Sequence, residues 1–125
     1  MKALTLQIGS PMNLPFTITP TLAWIFLVLA GVLEVVWAIG LRTSDGFTKL
    51  WPSVITLSAM GLSVVFLGLS LKVLPLGTAY AVWVGIGIVG VAALGIWLFE
   101  EPASLWRIAS MMMITFGIIG LKLLD

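Results

Sequence analysis

From Leu22 to its end the chain alternates between long apolar runs and short polar breaks, with a period far too long for strands. The run Leu22 to Leu41 contains a single charge, Glu34, and is followed by Arg42-Thr43-Ser44-Asp45-Gly46-Phe47-Thr48-Lys49, whose Asp-Gly pair signals a turn. Thr21 stands where a cap for this first helix belongs. A second run, about 51–71, has no charge, places Pro52 in the first helical turn where proline is tolerated, and stops at Lys72 ahead of Pro75-Leu76-Gly77. The third, about 78–99, is also uncharged but holds Gly85, Gly87, Gly90 and Gly95, so it is expected to bend or to pack closely against a neighbour. Glu100-Glu101-Pro102 ends it. Ser104 opens a fourth run, about 104–124, with Arg107 early and Lys122 late, both within snorkelling reach of an interface. Each run approaches the roughly 20 residues that cross a bilayer as a helix. The pattern predicts an all-α membrane protein with four transmembrane helices, over about 22–41, 51–71, 78–99 and 104–124.

Residues 1–20 read differently. Pro11, Pro15 and Pro20, with Gly9, Ser10 and Asn13, interrupt any helix, and no apolar core of signal-peptide length follows Lys2. This segment is expected to be a flexible extension ahead of a transmembrane domain spanning 21–125.

Composition sharpens the class. With 61% hydrophobic and 9% charged residues, a chain of 125 residues has too little interior to hide its apolar surface from water, so the lipid bilayer is its expected surroundings. A net charge of +1 without a basic cluster excludes a nucleic-acid partner and a polybasic membrane-surface patch. Absence of both Cys and His removes disulfides, thiol or imidazole nucleophiles and the usual transition-metal ligands, and the five acids are scattered. No enzyme, metal or cofactor is expected.

Glu34 is the anomaly within this pattern. A charge near the bilayer centre costs roughly 2.5 to 3.5 kcal/mol on insertion scales and is tolerated where it meets a partner, a cavity or an ion path. No Lys or Arg lies at its depth. Glu34 is therefore read as a group that handles a cation or a proton.

The basic residues add a statement about orientation. Lys2, Lys72 and Lys122 fall on one side of a four-span chain, and Arg42, Lys49 and Arg107 on the other. Equal numbers leave the positive-inside rule without a preference, so insertion both ways up is expected. Alternating-access transporters are commonly built from two inverted repeats, and four helices with one glutamate contain none. Two oppositely inserted copies supply the inversion and bring two Glu34 side chains together. The expected assembly is an antiparallel, dual-topology homodimer.

Three separated segments, Gly31-Val-Leu-Glu34-Val-Val-Trp37-Ala38, Asp45-Gly-Phe-Thr-Lys-Leu-Trp-Pro52-Ser53 and Pro75-Leu-Gly-Thr-Ala-Tyr80-Ala-Val-Trp83-Val-Gly85-Ile-Gly87, resemble the small multidrug resistance family from about Ala23 to the C-terminus. The resemblance implies a four-helix, proton-coupled exporter working as an antiparallel dimer in the bacterial inner membrane; some members pair two different subunits. Trp37, Thr78 and the Gly-Leu-Lys122 ending look like the guanidinium exporter subtype, because quaternary ammonium exporters of the family usually have a small residue at the Trp37 position. By the same comparison Glu34 is the shared proton and substrate site, Trp37, Ser63 and Trp83 line it, Tyr80 contacts it, Gly85 and Gly87 form a kink in the third helix, and Gly117 and Gly120 lie where the family places part of its dimer contact.

Helical spacing independently puts Gly31, Glu34, Trp37, Ala38 and Leu41 on one face of the first span, with Gly31 among the expected pocket residues, and Tyr80, Trp83, Gly87 and Gly90 on one face of the third. Desolvation and a neighbouring like charge both favour a neutral carboxyl, so a Glu34 pair is expected to hold protons that an arriving cation displaces. Guanidinium suits such a site: it is planar and pairs with a carboxylate through two parallel N–H donors. Indole and phenol faces attract a cation by roughly 0.5 to 2 kcal/mol. Trp24, Trp51, Trp97 and Trp106, near helix ends, read as interfacial anchors. The competing readings are a quaternary ammonium or multidrug exporter of the same family and a non-transporting membrane subunit.

Overall fold

The computed structural model describes residues 17–124. Lys2, Pro11 and Pro15, and with them most of the expected extension, lie outside the described residues. Within them the chain forms four helices, α1 (Pro20–Thr43), α2 (Leu50–Ser70), α3 (Leu76–Phe99) and α4 (Leu105–Leu124), joined by short connections. All four are long and apolar enough to cross a membrane.

The start of α1 departs from the sequence reading. Thr19, rather than Thr21, is the cap, its side chain accepting from Leu22 N–H at 3.1 Å, and Pro20 is the first helical residue instead of the end of a helix-breaking extension. The reason is local: the first N–H groups of a helix have no partner inside it, so a proline there loses nothing and its fixed φ is already helical. The connection after α1 is compact. Asp45, Gly46 and Phe47 all have φ between +51° and +70°, and Ser44 Oγ accepts from Phe47 N–H at 3.2 Å.

At the other end of the chain α3 closes with Glu100 in the left-handed region (φ 55°), and the N–H groups of Glu100 and Glu101 both donate to the Gly95 carbonyl, the latter at 3.2 Å. Pro102 then prevents continuation. Ser104 Oγ accepts from Arg107 N–H at 3.2 Å and caps α4.

Helix α1 packs along both α2 and α3, while α4 packs mainly along α3 and buries none of its residues. Small side chains make the close crossings. At Gly40 a Cβ would overlap Thr56 Oγ1, which donates to the Pro52 carbonyl at 2.6 Å, so α1 and α2 approach to backbone distance there. Ala23, Leu27, Leu74, Ala79 and Val82 form the buried apolar core. The outward faces stay apolar, with Trp97, Leu105 and Trp106 each at least 76% exposed, as suits a surface solvated by lipid.

Two contacts tie helix ends together. The Arg42 guanidinium sits 4.3 Å from the Phe99 ring centroid, linking the C-terminal ends of α1 and α3, and the Lys122 ammonium sits 4.9 Å from that of Trp24, linking the end of α4 to the start of α1. Arg42, Glu101 and Arg107 thus gather at one end of the bundle and Lys122 at the other. Helix α3 is uninterrupted from Leu76 to Phe99. Three of its glycines face neighbouring helices: Gly85 meets Ile114 and Ile118 of α4, Gly87 meets Glu34, and Gly90 meets Val35.

Candidate functional site

Glu34 lies between the middle and the C-terminal half of α1, where the helix crosses α3. Its carboxylate rests on the backbone of Gly87: a Cβ built there would stand 2.5 Å from Cδ and 2.7 Å from each oxygen. No other residue type leaves that space. One turn further along α1 is Trp37, and both side chains border a cavity of about 420 Å³ that also involves Ala38, Gly87, Ile88, Val91 and Ala92. Glu34 Oε2 and Trp37 Nε1 are buried with no hydrogen-bond partner among the described residues. Buried polar atoms are nearly always paired, and leaving one unpaired costs about 1 to 3 kcal/mol, more for a charge. Two such atoms on adjacent turns beside one cavity mark a place shaped for something that binds.

The other expected site residues form an adjoining cluster. Ser63 is fully buried in α2. Its hydroxyl donates to the Ala30 carbonyl at 2.7 Å and accepts from Trp83 Nε1 at 3.0 Å, joining three helices through one oxygen. In α-helical geometry the Ala30 carbonyl is also the acceptor for the Glu34 backbone N–H, so Ser63 holds the turn on which Glu34 stands. Tyr80 packs edge-on against Trp83, with centroids 5.5 Å apart at 61°, and is 53% exposed. Gly31 stands at the α1–α3 crossing, where a Cβ would come within 2.7 Å of the Ile86 side chain. Thus Glu34 and Trp37 border the cavity, Ser63, Trp83 and Tyr80 form a group joined by a hydrogen bond and an edge-on ring contact, and Gly31 and Gly85 fill helix crossings. Gly117 and Gly120 have open space within 4 Å of a built Cβ.

The Ser63 arrangement has a measurable consequence. Ser63→Ala removes the acceptor for Trp83 Nε1 and leaves a buried donor unpaired, which is expected to lower stability by about 1 to 3 kcal/mol. Thermal unfolding in detergent checks this, and a melting temperature equal to that of wild type would show that the indole finds another acceptor.

Two charged residues of the cavity wall were not among the sequence candidates. Glu101 and Arg107 border the same cavity at its outer end, joined by Arg107 Nη2 donating to Glu101 Oε1 at 3.1 Å. Their positions after one predicted span and early in the next were legible, but their meeting depends on the turn between α3 and α4.

Fold and site together define a small multi-pass integral membrane protein built around an acid within its first span, with a solute-sized cavity beside it. The chain belongs to the small multidrug resistance family: the family model described as Small Multidrug Resistance protein matches residues 22–114. A protein of Yersinia pseudotuberculosis named guanidinium exporter is 63% identical over 102 residues, which is 82% of this chain and 98% of that protein. One of the same name from Escherichia coli K12 is 57% identical over 102 residues, or 82% of this chain and 97% of that protein. Another from Proteus vulgaris is 56% identical over the same length. The family resemblance drawn above from three short motifs therefore holds across most of the chain, and these relatives bear the name of the subtype that Trp37, Thr78 and Lys122 suggested. In bacteria, four apolar spans of this family lie in the inner membrane.

Proposed function

We propose that this protein exports guanidinium or small guanidinyl cations across the inner membrane in exchange for protons, with Glu34 binding one or the other. The observation that supports it most directly is the cavity beside Glu34, whose carboxylate has a buried oxygen with no partner among the described residues. A carboxylate in that position is satisfied either by a proton or by a donor brought in with a cation. Guanidinium brings parallel N–H donors matched to a carboxylate edge, and a cavity of about 420 Å³ has room for it. The printed names of the relatives point to the same cargo.

If proton and cation exclude each other at Glu34, exchange follows. A proton entering down its gradient empties the site on one side, and a guanidinium ion displaces the proton on the other. Alternating exposure of one site to two sides is commonly produced by inverted repeats, which a second, oppositely inserted copy would provide. Three features support an antiparallel homodimer: the even division of Lys and Arg, the α4 surface around Gly117 and Gly120, and the Trp37 N–H, a donor with no acceptor among the described residues for which a second Glu34 carboxylate is suited.

The test is transport. Protein in proteoliposomes with an imposed pH gradient is expected to move guanidinium, with proton flux in the opposite direction, and to leave tetraethylammonium behind. Movement of tetraethylammonium in preference to guanidinium would favour a quaternary ammonium exporter, and no movement of either would favour a non-transporting subunit.

A further inference from the structure

The cavity beside Glu34 does not end in apolar side chains. It extends along α3 from Gly87 past Val91 to the turn beyond Phe99, where Glu101 and Arg107 stand. At each end a carboxylate is laid over a glycine of α3, Glu34 over Gly87 and Glu101 over Gly95, where a Cβ would overlap Glu101 Oε1. The two glycines are separated by about 12 Å along the helix axis. The outer carboxylate already holds a guanidinium, that of Arg107, through one hydrogen bond of 3.1 Å, although a carboxylate and a guanidinium can make two. Both side chains are 38% exposed, so water competes for the pair and it is weakly held.

Nor does the turn need this ion pair to form. The end of α3 is closed by Glu101 N–H on the Gly95 carbonyl, and the start of α4 is capped by Ser104 Oγ. Arg42, another cation at this end, is engaged by the Phe99 ring.

We propose that Glu101 is a second cation site, at the mouth of the cavity, where an arriving or departing guanidinium takes the place of the Arg107 guanidinium on its way to or from Glu34. The inference rests on guanidinium as cargo. Arg107 acts there as a tethered competitor that occupies the Glu101 carboxylate when cargo is absent and swings aside when cargo binds it. No bond is made or broken; one carboxylate–guanidinium pair is exchanged for another.

The two partners then have opposite effects on transport, which a merely structural ion pair would not produce. In proteoliposome exchange measured over a range of guanidinium concentrations, Glu101→Gln is expected to raise KM roughly two- to fivefold, because an unpaired Arg107 repels the cargo, whereas Arg107→Gln is expected to lower KM by a similar factor. Gly95→Ala, which keeps both charges but pushes the Glu101 carboxylate aside, is expected to raise KM as Glu101→Gln does and supplies a second route should one variant fold poorly. Equilibrium binding gives a direct reading: guanidinium should retain a weak site in the E34Q/R107Q protein and lose it in E34Q/E101Q. Shifts of KM in the same direction for Glu101→Gln and Arg107→Gln, or equal binding by the two double variants, would overturn the mouth site while leaving Glu34 as the transport site. Wild-type vesicles that fail to move guanidinium would instead overturn the proposed function, and this inference with it.

Discussion

Glu34→Gln is expected to abolish guanidinium exchange while leaving the protein folded and at least as stable as wild type. The two effects have opposite signs for one physical reason. A carboxylate within a membrane span is costly when charged, about 2.5 to 3.5 kcal/mol for a charge at the helix centre on insertion scales, and the neutral amide of similar shape removes that cost. The same substitution removes the group proposed to alternate between a proton and a cation. An amide binds neither a proton near neutral pH nor guanidinium as an ion pair, so initial rates in proteoliposomes should fall to those of protein-free vesicles. Melting temperature in detergent should stay level or rise. Transport that survives in Glu34→Gln would remove Glu34 from the mechanism. Loss of transport together with loss of folded protein would show that the acid has a structural role.

The second large effect is expected from Gly87→Ala, a change of one methyl group on the opposite helix. Alanine improves intrinsic helix propensity over glycine by about 0.5 to 1 kcal/mol, so α3 itself should not suffer. The new Cβ would lie 2.5 Å from Glu34 Cδ, far inside contact distance, and the group obliged to move is the end of a flexible side chain. The carboxylate is therefore displaced while the backbone stays. Misplacing a binding group by about an ångström costs up to roughly 100-fold in rate, so a loss of tenfold or more in guanidinium exchange is expected. Gly61→Ala in α2, where a Cβ meets nothing within 4 Å, is the matched control and should transport as wild type does. Equal rates for Gly87→Ala and Gly61→Ala would mean that Glu34 works from another position. The sequence raised a hinge and close packing as alternatives for Gly87. In the structure its place is packing against the carboxylate, and the hinge remains a separate proposal for Gly85 and Gly87 that this pair of variants does not address.

How much of this was legible in the letters depends on the range of the interaction involved. Span ends follow from local hydropathy and capping, and the four helices fall within two residues of the expected limits. The exception at Pro20 is instructive, because the same residue breaks a helix from within and starts one from its first position. Glu34 was legible as an acid where none is expected. Partners across helices were not. Spacing placed Gly31, Glu34 and Trp37 on one face of α1, but it could not say that Gly31 meets Ile86 while Glu34 meets Gly87, since that depends on how α1 crosses α3. Ser63 was expected beside the acid; that its hydroxyl reaches the Ala30 carbonyl, with Trp83 donating to it, required the third dimension. Glu101 and Arg107 were read only as the end of one span and an interfacial cation. Their common place on the cavity wall comes from a turn whose left-handed residue is a glutamate, where sequence signals for glycine are silent.

The proposed competition between proton and cation at Glu34 can be tested without any membrane. Guanidinium added to detergent-solubilised protein in weakly buffered solution near neutral pH should release protons, in an amount that saturates with binding, and the Glu34→Gln protein should release none. Saturable guanidinium binding to the wild-type protein with no proton release would contradict exchange at this carboxylate.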